Sequence, residues 1–344
     1  MPVGALSRWA ATLNKLTDMT SKPLKSVSYI MPVLNEEKHL AAAVRSIFEQ
    51  EQTGPTEVIL ALGPSTDNTN KVAAELAKEF AVVLVENPTG KTPAGLNAAI
   101  KAAKHDVVVR VDAHSVLSPG YTKLAVEILN TASAEHSYKG GAIANVGGVM
   151  RAVGTTPLQK AVAYAYTSRV GLGGGTFHVG GKAGPSDSVY LGVFRRDLLL
   201  EVGMFDERMI RGQDWQLNLR IREAGYTVWF DPRLEVTYYP RSSVSRLAKQ
   251  FYDTGIWRAL ITKMAPTKAN LRYFIPPLLV LATLLGFPFG IYMVAIAVVA
   301  FSAEGLDTKT RLNLLIALPV MHYCWGAGFI RGLFAKPIKN ESRG

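Results

Sequence analysis

Val109-Arg110-Val111-Asp112-Ala113-His114 closes an apolar run with a carboxylate and, two residues on, an imidazole. In an extended chain, residues i and i+2 share a face. At a strand end Asp112 and His114 could therefore hold one divalent cation through oxygen and nitrogen. Such a cation would neutralise a diphosphate. A strand-terminal aspartate also serves as a turn or cap residue, so the pair does not decide alone. Two more polar clusters follow apolar runs: Pro32-Val33-Leu34-Asn35-Glu36 and Ser65-Thr66-Asp67-Asn68-Thr69. Each could be only a helix N-cap, which Ser, Thr, Asp and Asn commonly supply. Their recurrence at successive strand ends favours one shared ligand. Gly90-Lys91-Thr92 looks like the end of a phosphate loop, but Val85 stands where the leading glycine belongs, which argues against an ATPase.

These clusters need a frame. Apolar runs at Val27–Val33, Glu57–Leu62, Val82–Val85 and Val107–Val111 alternate with helical patterns near Glu36–Gln50, Asn68–Phe80 and Pro93–Ala103. Nearly continuous Val, Ile and Leu marks strands buried on both faces. Strand–helix–strand repetition predicts an α/β fold whose sheet is mostly parallel and flanked by helices. Ligands of such sheets bind outside the carboxyl ends of the strands. From about Ala142 to Pro240 a second region includes Gly171–Gly175 and Gly180–Gly184, which read as a mobile loop and lack the dinucleotide fingerprint.

The chain has 344 residues, 48% hydrophobic and 19% charged, with a net charge of +11 and one cysteine, Cys324. That composition excludes disorder, a coiled coil, a disulfide framework and a cysteine-based zinc site. The charge favours an anionic partner. Arg241–Arg272 is basic and aromatic, which suits a helix on an anionic membrane face and accounts for the charge better than nucleic acid does. Residues 274–301 carry no charged side chain, and Leu312–Ile330 is a second apolar stretch. A span needs about 20 apolar residues. The first stretch is long enough for one tilted span, kinked at Gly286-Phe287-Pro288-Phe289-Gly290; a re-entrant pair of half-length helices competes with it. Basic residues before the first stretch and after the second place both ends in the cytoplasm. The expected division is a leader, 1–26, that is no signal peptide; a catalytic domain, 27–240; a basic membrane-interface segment, 241–272; transmembrane helical segments, 273–332; and a basic tail, 333–344.

Pro32-Val-Leu-Asn-Glu-Glu37, Ser65-Thr-Asp-Asn-Thr69, Lys91…Gly95-Leu-Asn97 and Arg110-Val-Asp-Ala-His114 follow one another in the order of the motifs of family 2 inverting glycosyltransferases. Asp187–Arg196, Gly203-Met-Phe-Asp206, Arg211-Gly-Gln-Asp-Trp215 and Gln250…Gly255-Ile-Trp257 continue that order. The chain resembles this family, and within it the branch of succinoglycan-biosynthesis glucosyltransferases, over about residues 26–332. The resemblance implies a GT-A fold with a membrane-embedded C-terminus. It implies that Pro32, Val33, Asn35, Glu36, Ser65, Asp67, Lys91, Asn97, Arg110 and Asp112 serve the nucleotide. Asp112 and His114 would hold Mn2+ or Mg2+, and Asp214 would be the general base. Asp187, Arg195, Arg196, Asp206, Gln213, Gln250 and Trp257 would lie toward the donor sugar or acceptor. Read without the family, Asp214 is a capping or salt-bridged residue near Arg211 and Arg220, and Asp187, Arg195 and Arg196 are surface ion-pair residues. The chain departs from the family pattern at Leu62-Gly63, where an acidic pair is usual, at His114 for an aspartate, and at Gln213 for a glutamate. The incomplete Gln–Arg–Trp signature argues against processive synthesis.

The expected activity is transfer of a sugar, with inversion, from a nucleotide donor, a UDP-sugar, to a lipid-linked or glycan acceptor in polysaccharide synthesis. It would take place at the cell membrane, facing the cytoplasm, in contact with membrane lipid and without nucleic acid. A polyprenyl-phosphate glycosyltransferase and an inactive membrane scaffold are the alternatives.

Overall fold

The computed structural model describes residues 23–130, 142–266 and 270–336. Most of the expected leader and the end of the basic tail, with Lys339 and Arg343, lie outside these residues, as does Lys268. The described chain forms two compact units, each discontinuous in sequence.

The first unit holds residues up to Val149, Gly181–Glu207 and Leu217–Val236. It opens with β1 (Val27–Val33), α1 (Leu40–Phe48), β2 (Thr56–Leu62), α2 (Thr69–Glu79), β3 (Val82–Glu86), α3 (Thr92–Ala102) and β4 (Val107–Arg110). These match the apolar runs and helical stretches to within a few residues. There follow β5 (Val116–Leu117), α4 (Tyr121–Asn130), β6 (Ile143–Ala152), β7 (Gly184–Pro185), β8 (Tyr190–Arg195), α8 (Arg196–Glu201), α9 (Gln213–Glu223), which belongs to this unit from Leu217 onward, and β9 (Thr227–Tyr238). The sheet order is β3-β2-β1-β4-β8-β6-β9-β5, with β7 on β9. The pairs β1–β2, β1–β4 and β2–β3 are parallel, whereas β8 is antiparallel to both β4 and β6. Val27, Tyr29, Met31 and Val33 enter one core cluster, and the intervening Ser28 and Ile30 are buried as well. Strand β1 therefore has two covered faces, as its unbroken apolar run demands.

The second unit holds Met150–Gly180, Arg208–Gln216 and the described chain from Thr237. It contains α5 (Pro157–Thr167), α6 (Arg169–Leu172), α7 (Thr176–Val179), α10 (Val244–Met264), α11 (Ile275–Leu284), α12 (Phe289–Ser302) and α13 (Thr308–Leu333). The glycine-rich stretch read as loop thus forms two one-turn helices joined through Gly173, Gly174 and Gly175. Helices α10 and α13 approach closely. A Cβ on Gly255 would lie 2.1 Å from Trp325 O, and one on Gly328 2.0 Å from Tyr252 O. Only glycine allows that backbone contact. Lys263 caps the end of α13 by donating from Nζ to Leu333 O (2.5 Å) and Ala335 O (3.0 Å).

The single kinked span expected over 274–301 is replaced by two separate helices. Gly286, at φ +100, closes α11 while Phe287 N reaches back to Ala282 O (2.9 Å). Pro288 then stands at the N-cap of α12. With 10 and 14 residues, the two run roughly 15 and 21 Å, short of the ~30 Å hydrocarbon layer. One described helix, α13, is long and apolar enough to cross a membrane by length and composition.

Candidate active site

Three strand-end loops of the first unit are tied into one platform. After β1, Asn35 adopts φ +56. Its N–H donates to Ser65 Oγ (3.0 Å), and its Oδ1 accepts from Thr66 N (2.8 Å). Glu36 N donates to Thr69 Oγ1 (2.8 Å), and Asn68 N donates to Glu37 Oε2 (2.7 Å). Asp67 accepts from Thr69 N (3.0 Å) and from the Thr69 hydroxyl (2.5 Å). The Thr69 hydroxyl and other nearby donors hold the Asp67 carboxyl below its ordinary range. Gly63 sits where the loops meet: a Cβ there would lie 3.1 Å from Leu34 Cδ1 and 3.2 Å from Gly90 Cα. A side chain in place of Gly63 would wedge the loops apart. Pro32 and Val33 belong to β1 itself, and Val33 O accepts from Gly63 N (2.8 Å).

The loop after β4 brings in Asp112 and His114. Arg110, nearly buried, donates from Nε (3.3 Å) and Nη2 (3.2 Å) to a single oxygen of Asp112, Oδ1. Among the described residues Asp112 Oδ2 makes no hydrogen bond. His114 Nδ1 lies 3.1 Å from Glu36 Oε1, a pairing across two loops that no local pattern announces. Among the described residues no group of three or more His, Cys, Asp and Glu is gathered as a preformed metal site. Magnesium-like cations commonly bind through one or two carboxylates plus substrate phosphates. A carboxylate with one oxygen fixed by an arginine and the other unspent fits such a nucleotide-borne cation.

Several expected ligand contacts are spent elsewhere. Asn97, 5% exposed, donates from Nδ2 to Phe205 O and Glu207 Oε1 (both 2.9 Å) and accepts from Phe205 N (3.0 Å). It bolts the Phe205-Asp206-Glu207 segment in place and presents no open amide. Arg195 is buried and donates to Ile143 O (3.2 Å) and Leu129 O (2.5 Å), so its guanidinium is consumed by the main chain. The Asp187 carboxylate is exposed, 3.3 Å from Arg222 Nη1, in the ion pair that its type alone suggests. Arg196 opens α8 with a buried Nε that lacks a hydrogen bond. Lys91 is exposed beside the Asn87–Gly90 turn. A buried amide chain that the sequence did not flag runs from Asn145 to Asn218 (2.7 Å) to Ser188 (3.0 Å).

Gln213, Asp214, Gln250 and Trp257 lie in the second unit. Gln213 and Asp214 start α9, with Gln213 buried. Just before them Arg211 pairs with Asp253 of α10 (3.7 Å), and a Cβ on Gly212 would meet Ile261 Cδ1 at 2.4 Å. The turn carrying Asp214 is thus fixed to α10. Gln250 donates to Tyr166 OH (3.1 Å) and accepts from Arg241 Nε (3.3 Å). Trp257 is half-buried on α10.

The model of the glycosyltransferase like family 2 matches residues 25–252. The succinoglycan biosynthesis protein ExoA of Rhizobium meliloti (strain 1021) is 28% identical over 331 residues, covering 92% of this chain and 98% of that protein. The dolichyl N-acetyl-alpha-D-glucosaminyl phosphate 3-beta-D-2,3-diacetamido-2,3-dideoxy-beta-D-glucuronosyltransferase of Methanococcus voltae is 27% identical over 325 residues, covering 92% and 98%. The mannosyltransferase PcManGT of Pyrobaculum calidifontis, solved with GDP-Man and Mn2+, shares the fold at a TM-score of 0.57 and 17% identity, covering 96% of each chain. With its parallel strand-end platform and this match over most of its length, the chain belongs to glycosyltransferase family 2 and is a GT-A glycosyltransferase.

Proposed function

We propose that this glycosyltransferase moves a sugar, with inversion, from a UDP-sugar to a hydroxyl of a lipid-linked glycan, on the cytoplasmic face of the membrane. The observation that carries the reading is the loop platform whose Asp112 keeps one carboxylate oxygen fixed and one unspent. Ser65, Asp67, Asn35 and Glu36 would bind the nucleoside, and Lys91 would meet the diphosphate. A cation held with the diphosphate by Asp112, beside His114, would shield its charge on departure. The leaving group then needs no protein acid. A sugar hydroxyl is a poor nucleophile, so a carboxylate must take its proton, and Asp214 is that base. One base and no enzyme nucleophile give single displacement and inversion. Asn97 and Arg110 are positioning residues in this scheme. The name of the Methanococcus voltae relative, with its dolichyl-linked sugar phosphate, supports a lipid-linked acceptor, and that of the succinoglycan biosynthesis protein supports a glycan product.

Membrane attachment rests on α11 and α12. They expose Ile275, Leu278, Leu284, Ile291, Val294 and Val298, and no charged residue occurs between Arg272 and Glu304. Helix α13 packs its C-terminal half on α10, which carries Arg246, Lys249, Asp253 and Lys263. A helix held against so charged a neighbour is poorly placed to cross lipid. The reading is a re-entrant pair, α11 and α12, dipping into one leaflet with α13 on the cytoplasmic side.

The test is transfer by the purified full-length protein, with Mn2+, to lipid-linked glycan extracted from a deletion strain. UDP-sugars and GDP-mannose are compared as donors, and the product anomer is read by NMR. A β-linked product from an α-linked UDP donor is expected. Asp214→Asn should lower single-turnover transfer by about 10²–10⁴-fold and leave nucleotide affinity unchanged. Equal loss of binding and turnover would remove Asp214 from the base role.

A further inference from the structure

Among the described residues, Arg258 and Arg272 of the second unit stand without an anionic partner. Arg258 on α10 makes no hydrogen bond or ion pair among the described residues, and its Nη1 is buried. Its Cζ lies 4.5 Å from the Tyr273 ring centroid and 5.9 Å from that of Trp215. Arg272 approaches the same Tyr273 ring at 5.4 Å. Its guanidinium nitrogens lie 3.7 Å from where a Cβ on Gly175 would stand. Around Gly174 such a Cβ would meet nothing within 4 Å. Gly174 therefore answers no packing need. Thr262, one turn along the same face of α10 as Arg258, has a buried hydroxyl that lacks a partner. A buried cation without a counter-ion is costly, and an unsatisfied buried donor calls for an explanation.

We propose that Arg258 and Arg272, framed by Trp215, Tyr273 and the Gly173–Gly175 loop, bind the phosphate of the lipid-linked acceptor. The inference rests on the lipid-linked reading above. Guanidinium groups suit a phosphate ester because their paired N–H donors match its oxygens. Position argues for the acceptor. Trp215 follows Asp214 in the chain, so the site adjoins the turn that carries the base. Arg272 is the last charged residue before the charge-free stretch of α11 and α12. A phosphate held there would sit where water meets lipid, with its prenyl chain running along the exposed apolar helices. Crowding supports the idea: burial and the neighbouring Arg272 push the Arg258 guanidinium below its usual range, which an anion between the two would relieve.

The probe is farnesyl phosphate, titrated into the full-length protein in neutral detergent and followed by tryptophan fluorescence, with farnesol as the uncharged control. Loss of a charged hydrogen bond costs roughly 1.5–3 kcal/mol. Arg258→Gln and Arg272→Gln should therefore each weaken farnesyl phosphate binding by about tenfold or more. Farnesol binding and UDP affinity should not change. Arg258→Lys should recover only part of the affinity. Arg272→Gln keeps the test valid if Arg258→Gln misfolds, because Arg272 lies at the glycine loop outside α10. A parallel arm measures binding to phosphatidylglycerol vesicles. Vesicle binding unchanged in the variants assigns the site to the acceptor. A loss on vesicles with farnesyl phosphate binding intact assigns it to bulk headgroups and overturns the proposal. Unchanged farnesyl phosphate binding in both variants, or a matching fall in UDP affinity, also overturns it. Binding that holds in wild type while no donor supports transfer would instead count against the proposed activity.

Discussion

Asp112 does two things with one carboxylate, and the division can be measured. Its Oδ1 is held by Arg110, and its Oδ2 is open. Asp112→Asn keeps a bond to Arg110 through the amide oxygen but presents a neutral amide where a cation would bind. Activity should fall to a small residue, and Mn2+-dependent nucleotide affinity should fall with it, as read by calorimetry with and without the metal. His114→Ala should weaken the metal dependence less, since a neutral ligand contributes less charge. Full activity in excess chelator would sink the cation. The i, i+2 reading of Asp112 and His114 assumes an extended chain, whereas β4 ends at Arg110 and the pair sits in a turn where Ser115 N donates to Asp112 O (2.8 Å). The partner of His114 was not legible, because Glu36 lies 78 residues away and the contact arises only when two parallel strands stand side by side. The partners of Asn97 and Arg195 were hidden for a related reason. Polar type at a strand or helix end says that a side chain will be bonded, but not to what. Here Asn97 takes Phe205 and Glu207, and Arg195 takes two carbonyls. Arg258 gave no sequence signal beyond its place in a basic stretch, since the missing counter-ion is a property of the fold.

At the scale of elements, the first half of the sheet was readable because β1, β2 and β4 are buried on both faces and so carry unbroken apolar runs. The antiparallel half was not. Strand β8 joins β4 by long-range pairing, and nothing in a local window encodes that neighbour. The break between α11 and α12 was legible as Gly286 and Pro288, which a helix tolerates poorly. Its consequence for topology is testable because the chain has a single native cysteine. In a Cys324→Ser background, Gly305→Cys marks the turn after α12. If α11 and α12 form a re-entrant pair, this thiol should react with a membrane-impermeant maleimide only from the cytoplasmic side, in inverted vesicles. A full span before Gly305 would instead expose it in intact cells. Phe287→Cys, between the two helices, should stay unreactive from both sides. Labelling of Gly305→Cys from outside would reject the re-entrant arrangement.

For the molecule as a whole, a linear reading divides a chain at consecutive positions, whereas the compact units here interleave, each taking up segments between parts of the other. A reading from first residue to last has no means of seeing such returns. The second unit also sets a pH dependence to which one side chain contributes a separable part. His178 on α7 packs its ring on Phe177 (4.2 Å), near Tyr166 (6.1 Å), and its Nδ1 is buried without a hydrogen bond. Burial first, and the charge of Arg272 second, push it down to about 3. Unfolded, the same imidazole titrates near ~6.5. Between those values the unfolded chain binds the extra proton and the folded chain does not. Stability from this group is therefore whole above pH ~6.5 and falls as the pH drops toward ~3, by up to ~1.4 kcal/mol per pH unit. Asp67 works in a different window. Its lowered carboxyl favours the fold above the ordinary carboxylate range and loses that contribution only below about pH 4. Melting curves of the full-length protein between pH 7.5 and 5.0 thus read His178 together with His322, which burial also lowers, and leave the aspartate untouched; the difference between wild type and a His178 variant isolates the first. Wild type should lose a few degrees over that range, since ~2 kcal/mol shifts a large domain by about 4–8 °C. His178→Phe keeps the aromatic packing and removes the titration, so its curve should be flatter by that amount. An equal acid slope in His178→Phe and wild type would show that the imidazole is not what the fold holds neutral.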